Sequence, residues 1–206
     1  MEQRSAEWFS ARLGKVTASN VDNIIVKVKN GESTYKRRYR MQLVTERLTN
    51  KVVPIFMNSA MAHGVEFEDE ARVKYANKMK LLIGKDVREV GFINHPTIKM
   101  AGASPDGLVG LNGLIEIKCP QPMTHTETLQ TGVIAKKYIH QMQWQMSCVG
   151  KDWCDFVSYH PDFPKEYQLF IKRVERDNDL IGRCEVDVIN FLKEVEDIIK
   201  SIKESN

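Results

Sequence analysis

The sequence predicts an α/β fold in which a central mixed sheet is covered by helices. Three observations carry that expectation. Helical patterns fill the N-terminal part of the chain and its C-terminal end. Between them Leu81–Ile83, Val87–Asn94 and Lys99–Ala103 read as short strands separated by turn residues such as Gly84, Asp86 and His95-Pro96. A helix and two strands then precede the last helix, and helices before, between and after strands pack most simply as three layers.

Taken in order, Ser5 caps a first helix through Leu13, with Glu7 in its first turn and Gly14 just past its end. Trp8 and Arg12, four apart, share a face. Thr17 or Ser19 caps a second helix carrying Val21, Ile24 and Ile25. A guanidinium, hydroxyls and the free N–H groups of a helix start thus meet near Gly14–Ser19, which suits an anion. The plainer alternative is that Arg12 pairs with an acidic neighbour and Ser19 only caps. After a polar loop from Lys27 to Gly31, a third helix runs from Thr34 to Thr49, with apolar contacts from Tyr35, Tyr39, Met41, Val44 and Leu48. Lys36, Arg37, Arg38 and Arg40, with Lys27 and Lys29 beside them, form either a solvated face or a track for a phosphate backbone.

Asn58 or Ser59 opens a long helix reaching Met79. Met61, Val65, Tyr75 and Met79 make its stripe, and Glu68 and Arg72 fill the intervening positions. A carboxylate facing the core needs a partner. Arg72 is one, and a metal ion or its waters another.

The chemistry gathers in Gly102–Pro120. Gly107 is expected to open a turn after Asp106 and Gly113 to close it, with Leu114 to Cys119 as the next strand. Alternation puts Leu114, Glu116 and Lys118 on one face and Ile115, Ile117 and Cys119 on the other. Two isoleucines favour burial, so Glu116 and Lys118 point the opposite way and a hairpin brings Asp106 to them. Two carboxylates and an ammonium make a site for a hard cation with a proton handler nearby. An exposed hairpin with a surface ion pair is the alternative, against which stand the isoleucines and the small Gly102, Ala103 and Gly107.

The chain turns helical again after Pro120 and Pro122, and a helix from Lys136 to Val149 aligns Tyr138, Gln141 and Gln145 on one face and Ile139, Met142 and Met146 on the apolar one. Strands follow at Trp153–Tyr159 and Tyr167–Val174. Asp177 or Asn178 caps a last helix whose stripe is Ile181, Cys184, Val188, Phe191, Leu192, Val195, Ile198 and Ile202.

With 206 residues the chain fits one domain. A net charge of +3 permits an anionic partner without demanding one. Cys119, Cys148, Cys154 and Cys184 lack CxxC spacing, so neither a zinc site nor a disulfide framework is suggested, and reduced cytosolic thiols are expected. No apolar run is long enough to span a bilayer, and MEQRSAEW lacks a signal-peptide core.

Pro105-Asp106, then Glu116-Ile117-Lys118, resembles the PD-(D/E)xK nuclease core. Four linked stretches are more specific: AEWFSARLGKVTAS, AMAHGVEFEDEAR, ASPDGL with LIEIKCP, and YIHQMQWQM. Together they resemble the phage lambda exonuclease family, the viral recombinase nucleases, from the start of the chain to about residue 160. The resemblance implies a restriction-endonuclease-like core. It implies that Asp106, Glu116, the Ile117 carbonyl and Glu68 hold divalent cations, a pair of Mg²⁺ with Mn²⁺ as a substitute. Lys118 would orient or deprotonate the attacking water, Gln141 would border the site, and Arg12, Ser19 and Ser104 would grip a terminal 5′-phosphate. The family degrades linear double-stranded DNA from the 5′ end, releases 5′-mononucleotides and leaves a 3′ overhang. It also implies a homotrimer, a single-strand annealing protein as partner, and a phage or prophage origin in a bacterial cytoplasm. An endonuclease or a non-catalytic DNA-end-binding protein on the same core are the alternatives.

Overall fold

The six-residue strand Gly113–Lys118 is the middle member of a five-stranded sheet, and the candidate chemistry lies along it. The computed structural model describes residues 1–54, 59–84 and 86–205. Its helices are α1 (Ala6–Arg12), α2 (Val21–Ile25), α3 (Thr34–Thr49), α4 (Ser59–Ile83), α5 (Pro122–Thr131), α6 (Lys136–Val149) and α7 (Asn178–Glu204). Its strands are β1 (Val16–Thr17), β2 (Val87–Arg88), β3 (Ile93–Asn94), β4 (Ala101–Ala103), β5 (Gly107–Val109), β6 (Gly113–Lys118), β7 (Trp153–Tyr159) and β8 (Leu169–Glu175).

The main sheet has the order β2-β5-β6-β7-β8. Only the β6–β7 pairing in it is parallel, running from Gly113 opposite Trp153 to Lys118 opposite Ser158. It is therefore a mixed sheet, with helices on both faces. On one face Ile115 and Ile117 pack with Ala71, Tyr75 and Met79 of α4. On the other, Leu114 packs with Met142 and Met146 of α6. Alternation along β6 thus turns Glu116 toward α6.

Several expectations are corrected. The strands divide, because β1, β4 and β3 form a separate three-stranded sheet. The expected strand Val87–Asn94 is split between the two sheets as β2 and β3. Gly107 opens β5 rather than a turn and lies opposite Ile115, so the hairpin is tighter than the glycines suggested. Leu81–Ile83 is not a strand but the last turn of α4, which continues past Met79; three apolar residues match either period, and an uninterrupted helix wins. Asn58, the alternative start of α4, lies outside the described residues. Met61 and Val65 are exposed, so only the second half of the α4 stripe is core. Tyr35, Met41 and Leu48 of α3 are also exposed, and Leu43 takes their place beside Tyr39 and Val44. In α7, Ile199 is buried where Ile202 was expected.

Around the smaller sheet, α2, α3 and α7 close a second core through Val21, Leu43, Val188 and Phe191. Trp144 of α6 belongs to that core and donates its indole N–H to the Gly102 carbonyl at 3.2 Å, tying the two halves together. All four cysteines are free and buried. Among the described residues no helix is long and apolar enough to cross a membrane.

Candidate active site

One cavity of about 190 Å³ is lined by Asp106, Glu116, Ile117, Lys118, Glu68 and Gln141, and also by Arg12, Ser19 and Ser104. The residues singled out for metal chemistry and those singled out for a terminal phosphate therefore face the same space, whereas the basic run of α3 does not line it. Two walls can be told apart.

The first wall stands on the sheet. Asp106 lies between β4 and β5, and its Oδ2 accepts the Ile117 N–H at 2.6 Å, which fastens the loop to β6. Glu116, 1% exposed, receives Gln141 Nε2 on Oε1 and Gln145 Nε2 on Oε2, both at 2.6 Å. The Lys118 ammonium also contacts Glu116 Oε1. Gln141 and Gln145 are one helical turn apart on α6, so both amides reach the same carboxylate. Glu68 comes from α4. Arg72 donates to its Oε1 at 2.9 Å, and Arg4 contacts its Oε2. Arg72 also donates to the Asp106 carbonyl at 2.9 Å, joining α4 to the loop that carries Asp106. The bland partner for Glu68 is thus present, and a second guanidinium is added to it.

The electrostatics of this wall are frustrated. Burial, then the Glu116 and Glu68 carboxylates, push the Asp106 carboxyl well above its usual range. Burial raises Glu68 too, against the pull of Arg4 and Arg72. Burial draws the Lys118 ammonium down, but Glu116 and Asp106 push it further up, so it stands protonated. Among the described residues no three carboxylate, imidazole or thiol groups already converge on an ion position; Glu68 and Glu116 are turned to the protein's own cations. The donor set nevertheless fits a hard divalent ion. It is all oxygen, and an extra positive charge would relieve the crowding that holds Asp106 high.

The second wall stands on the N-terminal helices. Ser5 caps α1, accepting the Trp8 N–H at 3.2 Å, as its sequence predicted. The Arg12 guanidinium stacks 3.8 Å from the Trp8 ring centroid. Both side chains donate to the Ser104 hydroxyl, Trp8 at 2.9 Å and Arg12 at 3.2 Å. With both lone pairs of that oxygen taken, its own proton is left to point outward as a donor. Burial lowers Arg12 to about 10, still charged at neutral pH. Gly14, at φ +65°, makes the bend after α1. The buried Glu46 accepts the Gly14 N–H at 2.9 Å, Arg47 donates to the Gly14 carbonyl at 2.8 Å, and the Tyr39 hydroxyl accepts the Thr17 N–H at 3.1 Å. α3 therefore sets where Arg12 and Ser19 point. The expected helix start at Thr17 is a three-residue 3₁₀ turn, Ala18–Asn20, followed by α2.

The basic run of α3 is divided. Lys36 and Arg40 pair with Glu194 of α7, and Arg40 also with Glu32, while Arg37 and Arg38 remain exposed. Gln145, Trp8 and Arg4 are participants that the sequence reasoning left out of the site. Spacing could have found the first two, Gln145 four after Gln141 and Trp8 four before Arg12. Arg4 precedes any periodic segment and left no signal.

A family model described as the YqaJ-like viral recombinase domain matches residues 7–152. The chain belongs to that family. Among solved structures it is similar to LHK-Exo, an alkaline exonuclease from Laribacter hongkongensis, at 47% identity over 98% of this chain and 97% of that one, with TM-scores of 0.88 and, for its complex with dAMP, 0.89. A phage-related exonuclease from Haemophilus somnus 129PT shares the fold, with TM-score 0.67 and 17% identity over 91% and 96% of the two chains. Protein R354 of Acanthamoeba polyphaga mimivirus is 25% identical over 83% of this chain, which spans 31% of that protein's length. Membership of the viral recombinase family, with an alkaline exonuclease as homologue, implies a DNA exonuclease. It also agrees with the lambda-exonuclease resemblance of the sequence.

Proposed function

We propose that this viral recombinase domain is a Mg²⁺-dependent exonuclease that works from 5′ to 3′ on linear duplex DNA, releasing 5′-mononucleotides and leaving a 3′ overhang. One observation supports it above the others: the carboxylate–lysine wall and the Arg12–Ser19–Ser104 wall share one cavity. A hydrolytic centre beside an anion pocket suits an enzyme that holds a terminal phosphate while cutting nearby.

Asp106, Glu116, the Ile117 carbonyl and Glu68 are the groups to hold the ions. Bound there, a divalent pair supplies Lewis acidity for the phosphoryl oxygens and an activated water. The chain's own residues do the rest. Arg4 and Arg72 balance the charge of Glu68. Gln141 orients Glu116. Lys118, held as an ammonium, donates to the attacking water or a phosphoryl oxygen, and it could act as a base only if neutralising the neighbouring carboxylates first let it release its own proton to solvent. Arg12 and Ser104 donate to the terminal 5′-phosphate. Each cut creates a new 5′-phosphate that fits the same pocket, which accounts for polarity and for repeated action on one strand. The dAMP complex of LHK-Exo supports a mononucleotide as product.

The homotrimer, the annealing-protein partner and the bacterial cytoplasm belong to the same proposal and rest on the lambda-exonuclease resemblance, whereas a single domain over the 206 residues rests on their number. Digestion of linear duplex labelled at either end, with and without Mg²⁺, tests the reaction. A 5′ label is expected to leave first, as mononucleotide, only with Mg²⁺, and a covalently closed circle is expected to stay intact. Release from the 3′ end first, or cutting of the circle, would overturn the reading.

A further inference from the structure

Glu116 has two oxygens, and the fold treats them differently. Oε1 faces Gln141 and Lys118, both on the cavity wall. Oε2 is held by Gln145, which is 0% exposed and sits behind the carboxylate. The Gln145 carbonyl oxygen has no hydrogen-bond partner among the described residues. A buried amide that leaves its acceptor unsatisfied carries a desolvation cost. Its N–H on Glu116 is therefore what the position contributes.

We propose that Gln145 is a positioning residue that makes Glu116 a one-oxygen ligand, and that it thereby sets the preference of the site for Mg²⁺ over Ca²⁺. The inference rests on the divalent-ion reading above. Mg²⁺ demands near-octahedral single contacts and keeps several waters, whereas Ca²⁺ takes six to eight oxygens and readily binds both oxygens of one carboxylate. With Oε2 clamped from behind, Glu116 serves the first ion well and the second poorly. Releasing the clamp lets the carboxylate turn and offer both atoms. Gln141, at the same 2.6 Å, lacks this effect because it holds the oxygen that already faces the cavity.

Calorimetric titration of Mg²⁺ and Ca²⁺ into the protein without DNA separates these roles. Gln145→Met keeps the side-chain volume and removes the donor. It is expected to shift the Mg²⁺:Ca²⁺ affinity ratio toward Ca²⁺ by about tenfold, the factor expected from one hydrogen bond to a charged group. Gln141→Met is expected to change both affinities and leave the ratio alone. An unchanged ratio in Gln145→Met, or an equal shift in Gln141→Met, overturns the proposal. A wild-type protein that binds neither ion, or binds both regardless of Asp106→Asn, overturns the divalent-ion reading itself. Should Gln145→Met fail to fold, a crystal of the wild-type protein soaked in Ca²⁺ decides. One Glu116 oxygen within about 2.6 Å of the ion supports the clamp, and two overturn it.

Discussion

Glu116 and Lys118 sit on the middle strand of the five-stranded sheet and Asp106 on the loop bonded to it, whereas Arg12 and Ser19 sit on a seven-residue helix and a three-residue turn. The first group is braced by α4 on one side and α6 on the other. The helix carrying Arg12 contains no buried residue and is fixed through the bend that α3 grips. Under the function proposed above, the site places its bond-breaking groups where the core holds them rigidly and its recognition groups where a few polar bonds suffice. Substitution on the sheet wall should abolish chemistry outright, and substitution on the helix wall should grade it according to the DNA end.

The largest effect tests the sheet wall. Asp106→Asn, Glu116→Gln and Lys118→Ala are each expected to slow single-turnover cleavage by about a thousandfold or more while the protein still folds and binds DNA. Near-wild-type rates in any one, with Mg²⁺ present, remove that residue from the mechanism.

Next comes the helix wall. Arg12→Ala is expected to slow digestion of 5′-phosphorylated ends by about ten- to a hundredfold, with 5′-hydroxyl ends affected much less. Equal slowing on both would make Arg12 a support for the fold or for general DNA binding.

Glu68→Gln tests whether α4 belongs to the sheet wall. It is expected to move the Mg²⁺ dependence of activity about tenfold higher with little change in melting temperature. A lower melting temperature with an unchanged Mg²⁺ titration would reduce Glu68 to a partner of Arg72 and Arg4.

Glu46 is the hinge of the contrast, since it supports the helix wall without lining the cavity. Glu46→Ala leaves the Gly14 N–H and the Gln42 amide without their acceptor, and is expected to cost about 1–3 kcal/mol of stability. The same variant should weaken the preference for phosphorylated ends, measured as the rate ratio of the two substrates. An unchanged ratio would mean that the bend does not set Arg12.

The smallest effect spares both walls. Burial lowers the pKa of His95, His125 and His160 from their ordinary 6.5. Their neutral forms favour the folded state, so the stability they contribute is complete above that value. It is lost as pH falls, because the unfolded chain takes up protons that the native one does not. The raised Asp106 and Glu68 carboxyls act with the opposite sign, so the readout is a difference: the stability lost on His125→Asn should be full from pH 8 to 7 and shrink toward pH 5. A penalty that stays constant or grows toward pH 5 would contradict the His125 assignment.

The sheet wall was legible in the sequence because period-two alternation assigns the two faces of β6 and Gly113 marks its start, and α6 and β7 appear with the bounds their patterns predicted. Arg12 and Ser19 were read from their spacing as suiting an anion, and only the family resemblance joined Ser104 to them. Their meeting depends on β1 pairing with β4, and a two-residue strand leaves almost no pattern to read. Gln145 was visible on the right face of α6, yet spacing alone does not say which oxygen of Glu116 it touches. The division into two sheets was hidden for a similar reason: Glu89–Phe92 breaks an apparently continuous strand by tertiary pairing, which local propensity does not encode.

The four buried cysteines have a practical corollary. Burial pushes the Cys119 thiol up to about 12 and Cys184 to about 11, and raises Cys148 and Cys154 as well. At pH 8 a thiol near 11 is ionised in only about one molecule in a thousand, and thiolate is the form that maleimides capture. A cysteine introduced at an exposed position such as Arg38 should therefore react far ahead of the native four. Fluorophores or spin labels can be installed on the unaltered background.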